Sequence, residues 1–178
     1  MFMELIQKRR SIRRFRPEPV EKEKIDRLLE AALRAPSSRG FNPWEFVVIT
    51  DPETLKRLAT AKPHGAGFFK GAPLGIVVCA DPGKCDVWVE DASIAAIFIQ
   101  LAAESMGLGS CWIQIRKRMH ADGRTSDEFV KEVLDLPGNL QVASFVAVGY
   151  PQEKKTGHSF DSLMFEKVHR NAYGKNWF

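Results

Sequence analysis

A chain of 178 residues, 44% hydrophobic and 27% charged, is long enough for one substantial core and too apolar for a disordered segment. Its formal charge of +4 is concentrated: residues 1–16 carry six basic side chains against one acid, so residues 17–178 sum to −1, which excludes a protein coated in positive potential. Three cysteines at no metal-like spacing and four scattered histidines argue against a zinc set or a disulfide framework, and point to reduced thiols in a cytoplasmic protein.

Residues 2–9 predict a short helix with Phe2, Leu5 and Ile6 on one side. The N-terminus has no apolar signal-peptide core, and the most apolar stretch, 92–103, is too short to span a bilayer, so no membrane partner is expected. In PEPVEKEKIDRLLEAALRAP, Ile25, Leu28, Leu29, Ala32 and Leu33 recur at helical spacing until Pro36 stops them. SSRGFNP is a loop by composition and WEFVVIT a buried strand. DPETLKRLATA predicts a helix capped by Asp51 with Pro52 at its first position, and GAPLGIVVCA a second strand. WVEDASIAAIFIQLAAESMG is a long helix, apolar nearly all round and therefore expected to be buried on most faces, with Gly107 as its terminator. GSCWIQI is a third strand, TSDEFVKEVLDLP a helix capped by Thr125 or Ser126, and QVASFVAVGYP a fourth strand. The last ~25 residues are polar and aromatic without a strong period. Strands and helices alternate irregularly with no repeat, linker or composition break, so residues 1–178 are expected to form a single α+β domain.

Chemistry concentrates in two places. Extended chain after the first helix would set Arg9, Ser11 and Arg13 on one face, two guanidinium forks about a hydroxyl, which suits a phosphate. Arg10 is a candidate by position, although alternation turns it, with Arg14 and Arg16, to other directions. The same run also reads as a solvated basic face or a nucleic-acid arm. In APSSRGFNPW, Ser37, Ser38 and Asn42 offer hydroxyls and an amide at the end of a helix. The Gly-x-Gly of MGLGSCWIQI follows a helix and enters a strand, the reverse of a dinucleotide fingerprint. Neither GHSFD nor GYPQE makes a nucleophile elbow. Glu90 and Asp91 read as charge complements of the long helix's N-terminus, and His64 as polar loop surface.

In order along the chain, RRSIRRF, LLEAALRAPSSRGFNPWEFVVI, EDASIAAIFIQLAAESMGLGSCWIQI, VAVGYPQEKK and VHRNAYG resemble successive segments of the nitroreductase family of flavin enzymes, in its short form. The resemblance implies an antiparallel-rich central sheet flanked by helices, in an intertwined homodimer with FMN at the subunit interface. The aromatic tail, with Phe165, Tyr173, Trp177 and Phe178, would then reach the partner.

Carried over by position, the resemblance assigns Arg9 and Ser11 to the FMN phosphate, Arg13 to the N1/O2 edge of the flavin, and Pro36, Ser37 and Ser38 to the other subunit's FMN. Asn42 stands where the family usually has Gln before Pro-Trp, and Gly40 where it often has Asn. Gln114 and Ile115 mark the strand edge whose backbone N–H meets N5, and Lys155 or His158 would complete the phosphate site. The implied activity is hydride transfer from NADH or NADPH to flavin N5, then ping-pong transfer to a nitroaromatic, a quinone or another small acceptor. No catalytic side chain, metal or nucleic acid is needed. The sequence is also compatible with a flavin sensor or carrier without turnover, and less well with a nucleic-acid-binding domain.

Overall fold

A computed structural model describes residues 1–178. The helices are α1 (Phe2–Lys8), α2 (Lys22–Leu33), α3 (Pro52–Leu58), α4 (Trp88–Ser105) and α5 (Ser126–Leu134). The strands are β1 (Trp44–Ile49), β2 (Leu74–Ala80), β3 (Gly109–Gln114) and β4 (Gln141–Gly149). They form one antiparallel sheet in the order β1-β2-β4-β3. The class is α+β, as the sequence predicts.

The unbroken apolar runs of β2 and β4 have a simple cause: both faces of the sheet are covered. Alternate residues Val77, Cys79, Ile113, Phe145 and Ala147 face Leu55 and Leu58 of α3 and Val130 of α5. Their neighbours Ile76, Val78, Val146 and Val148 face Leu28 and Ala32 of α2 and Ala96, Ile99 and Ala103 of α4. Local signals fix the helix starts as expected: the Asp51 carboxylate accepts from Thr54 N, and Thr125 makes a reciprocal capping box with Glu128.

One expectation needs adjustment. α4 buries its alanine-rich side against the sheet, but Ile97 and Phe98 remain 37% and 36% exposed, so its apolar girdle is only partly covered within one chain. Residues 151–178 contain no helix or strand beyond two short 3-10 turns. Phe160, Tyr173, Trp177 and Phe178 are all exposed there, while Gly157 lies so close to α1 that a Cβ would stand 2.0 Å from the Gln7 carbonyl oxygen. No helix is long and apolar enough to cross a membrane.

Candidate functional site

The chain leaves α1 at Arg9 in an extended conformation, φ −54° and ψ 127°. It then runs between β3 and the segment after β4. Ser11 bridges to Ser110, Ile12 N donates to Ser110 O at 2.9 Å, and Phe15 bridges to Pro151. Ile12 is the buried residue that fixes the alternation, and it presses on Gly109, where a Cβ would come within 2.9 Å of it. Glu153 straps the segment from the other side: its Oε1 accepts from Arg13 N at 2.6 Å and from Arg14 N at 3.3 Å. Lys155 Nζ is 3.1 Å from the same carboxylate and donates to Ser11 O at 2.7 Å.

One thiol reports what converges here. Burial pushes Cys111 up, and four groups oppose that: the Arg13 charge, a hydrogen bond with Ser11, and the charges of Lys155 and Arg9. Arg9, Ser11, Arg13 and Lys155 therefore all lie within reach of one thiol, Lys155 and Ser11 in direct contact, and neither Arg9 nor Arg13 pairs with a carboxylate. Arg10 lies to one side. It lines a cleft of about 350 Å³ with Lys8, Glu104 and Lys154, bordered by Glu153 and Lys155, and donates to Thr156 O. His158 is elsewhere too, in an apolar cleft between Met3 and Ile6 of α1 and Phe160, Leu163 and Phe165 of the tail. Close approach of Gly157 to α1 turns the chain away from the cradle before His158 is reached.

The loop after α2 forms a second cluster. Ser37 Oγ donates to Asn42 Oδ1 at 2.7 Å and accepts from Asn42 N at 3.0 Å, which holds Asn42 in the left-handed region at φ +47°. Pro36 is exposed, and Ser37 and Ser38 are half-buried. The anchor is Asp91, 2% exposed, whose Oδ1 accepts from Ser38 N at 2.8 Å and whose Oδ2 accepts from Cys85 Sγ at 3.3 Å. Asp91 is thus a buried tether and not a surface complement to the helix dipole. The only signal for it in the sequence is an acid one turn before Ala95 on the small, sheet-facing side of α4. Arg39 adds an ion pair to Asp86 at 2.9 Å.

These clusters sit at opposite ends of α4. Asp91 lies in its first turn, and Arg9 acts on Glu104 in its last, lowering a carboxyl that burial raises. The helix has 18 residues, or about 27 Å at 1.5 Å per residue. A third element lies at the far end of β3. Ile115 is fully buried and donates its N–H to Ala143 O at 3.3 Å, so it has no backbone donor to offer. The register pairs Gln114 with Ser144 in the non-hydrogen-bonded alternation, which turns the Gln114 N–H to the open edge of the sheet. Its side chain is pinned, Oε1 accepting from Trp112 Nε1 at 3.1 Å and Nε2 donating to Arg116 O at 2.9 Å.

The profile of the nitroreductase family matches residues 6–64 and 60–150, a range that contains all three clusters apart from Glu153 and Lys155. The chain belongs to the nitroreductase family. Its fold is similar to that of an FMN-dependent nitroreductase from Clostridium difficile R20291, with a TM-score of 0.94 and 46% identity over 96% of this chain and 99% of that one. A protein of Archaeoglobus fulgidus provisionally named NADH dehydrogenase/NAD(P)H nitroreductase is 35% identical over 96% of this chain and 98% of its own. The NADPH:FMN oxidoreductase of Vibrio harveyi, solved in complex with NAD+, superposes with a TM-score of 0.81 at 27% identity, over 98% of this chain and 78% of that one. This nitroreductase-family chain therefore spans nearly the full length of the Clostridium difficile and Archaeoglobus fulgidus proteins.

Proposed function

We propose that the protein is a homodimeric, FMN-dependent oxidoreductase that uses NADH or NADPH to reduce a nitroaromatic, a quinone or another small acceptor, with residues 1–178 acting as one unit. The observation that carries this is the convergence of Arg9, Ser11, Arg13 and Lys155, two of whose cations have no carboxylate partner. A phosphate monoester needs two or three charge-assisted donors in a small space, and the residues present fit it. FMN, when bound, supplies two-electron transfer between donor and acceptor in ping-pong order.

The chain's own residues position and tune. Arg9, the Ser11 hydroxyl and Lys155 bind the phosphate, while Glu153 holds Lys155 and the Arg13 backbone in place. Arg13 brings fixed positive charge to the pyrimidine edge, favouring negative charge there as a preorganised donor does at an oxyanion. The outward N–H of Gln114 offers a hydrogen bond to the ring's central edge. Pro36, Ser37, Ser38 and Asn42 lie a helix length from this cradle, so we assign them to the partner's site, and the exposed tail rings to the partner's surface. Three buried free cysteines suit a reducing, cytoplasmic setting, and Cys79, pushed by burial up to about 12, is structural and not a nucleophile.

The visible spectrum after soaking with FMN and desalting tests this directly. Flavin bands near one FMN per chain, bleached by NADH or NADPH, are expected; a colourless protein that refuses FMN would overturn it.

A further inference from the structure

A basic run, Arg116-Lys117-Arg118, follows β3 and has no part in the cradle. It lines a cleft of about 550 Å³ with Trp88, Met119, Asp127 and the start of β4. The cleft opens two residues beyond Gln114, whose Nε2 holds the Arg116 carbonyl at 2.9 Å. It therefore adjoins the end of β3 assigned above to the flavin ring.

The loop that follows sorts its cations. Arg124 is committed to Asp122, at 2.7 Å, and to Glu132. His120 stacks on Phe129 at 4.1 Å and stands 2.9 Å from Asp122, a hydrogen bond that holds the Asp122 carboxyl down at about 2. The loop is thus braced on its own scaffold. Arg116, Lys117 and Arg118, by contrast, pair with no carboxylate. Asp127, the one acid lining the cleft, is already engaged by Lys131 at 2.9 Å and by Val142 N at 2.6 Å.

Two further features point to a ligand. The Arg116 guanidinium lies 5.5 Å from the centroid of the half-buried Trp88 ring, giving a flat, partly apolar wall with fixed charge. Lys62 is lowered by burial and then by the positive charge of Arg118, with an opposing influence from Cys111, so it stands within electrostatic reach of both the cleft and the cradle. The cleft thus carries three cations without a carboxylate partner against one acid that is already engaged.

We propose that this cleft takes the carboxylate of a planar aromatic acid, so that the protein selects anionic aromatic acceptors. Guanidinium forks match a carboxylate in two-pronged geometry, and the Trp88–Arg116 wall suits a ring. Turnover of such an acceptor rests on the oxidoreductase reading above; binding of the acid does not. The cleft contributes affinity and selection and adds no chemical step.

The test uses FMN-loaded protein and two acceptors that differ in charge, 4-nitrobenzoate and 4-nitrobenzamide. The KM for the acid is expected to be at least tenfold below that for the amide, and this ratio to fall within twofold in the Arg116→Gln/Lys117→Gln/Arg118→Gln variant. Calorimetry with benzoate, without donor, should show binding that weakens at least tenfold in the variant and also weakens with added salt. Should the triple variant fail to fold, the exposed Lys117→Gln alone is expected to shift the KM ratio about threefold. An acid-to-amide ratio near one in the wild type, or a preference that survives the substitutions, would overturn the proposal. So would a raised donor KM with the acid preference intact, which would give these cations to the donor's phosphates. If neither acceptor is turned over, the oxidoreductase reading falls, and loss or retention of benzoate binding in the variant still decides the cleft.

Discussion

Arg9 and Glu153 do opposite jobs on one extended segment, one offering charge outward and the other holding the backbone at Arg13 and Arg14. Arg9→Ala removes one charge-assisted contact, worth about 1.5–3 kcal/mol, so FMN is expected to bind roughly ten- to a hundredfold more weakly in a fluorescence titration. An unchanged Kd would take Arg9 out of the phosphate site. Glu153 lies below its ordinary 4.5: donation from the Arg13 N–H lowers it most, burial opposes that, and Lys155 beside it lowers it further. A depressed carboxyl stabilises the fold in full above its unfolded pKa and loses that contribution as pH falls through the lowered folded value. Thermal stability should therefore drop below about pH 4.5 more steeply in the wild type than in Glu153→Gln; parallel pH profiles would show that the strap carries no weight. At this scale the sequence is informative where a side chain's partner is local. The Arg9, Ser11, Arg13 alternation is readable because Ile12 among them is apolar and must turn inward. Asp91 is not, because an acid in a helix's first turn suits the dipole equally well, and only the arrival of Ser38 from 53 positions away reveals the tether.

Among the elements, α4 and the loop it holds carry the clearest consequence. Asp91→Asn keeps the shape but replaces a charged acceptor with a neutral amide, and one of its two bonds must weaken. A loss of about 1–3 kcal/mol is expected in denaturant unfolding, together with faster hydrogen exchange at the Ser38 amide. Exchange at Ser38 equal to wild type would mean the loop is held by Ser37, Asn42 and Arg39 alone. Strand and helix identities were open to sequence reading because both sheet faces are covered and because Asp51–Pro52 and Thr125–Glu128 punctuate locally. The choice between Gln114 and Ile115 was not, since it depends on the register with β4, a pairing across 30 residues that no local pattern encodes. The tail was equally opaque: its rings have no period because they make no regular element.

For the whole molecule, the uncovered Ile97 and Phe98 of α4 and the exposed rings of residues 160–178 are apolar surface left over after one chain has folded. Light scattering during gel filtration is expected to give twice the 20.1 kDa chain mass, and a monomer at micromolar concentration would remove the interface on which the second half of the site depends.

The 18-residue span of α4 has a genetic reading. If each centre draws its arginine cradle from one protomer and its serine loop from the other, then a chain crippled by Arg9→Ala and a chain crippled by Asp91→Asn are defective for different halves. In the mixed dimer, one centre inherits both lesions and the other inherits neither. Two poorly flavinated alleles expressed together should thus restore, in half the centres of every heterodimer, tight FMN binding that neither homodimer has, whereas two lesions at the same end of the helix should never rescue one another.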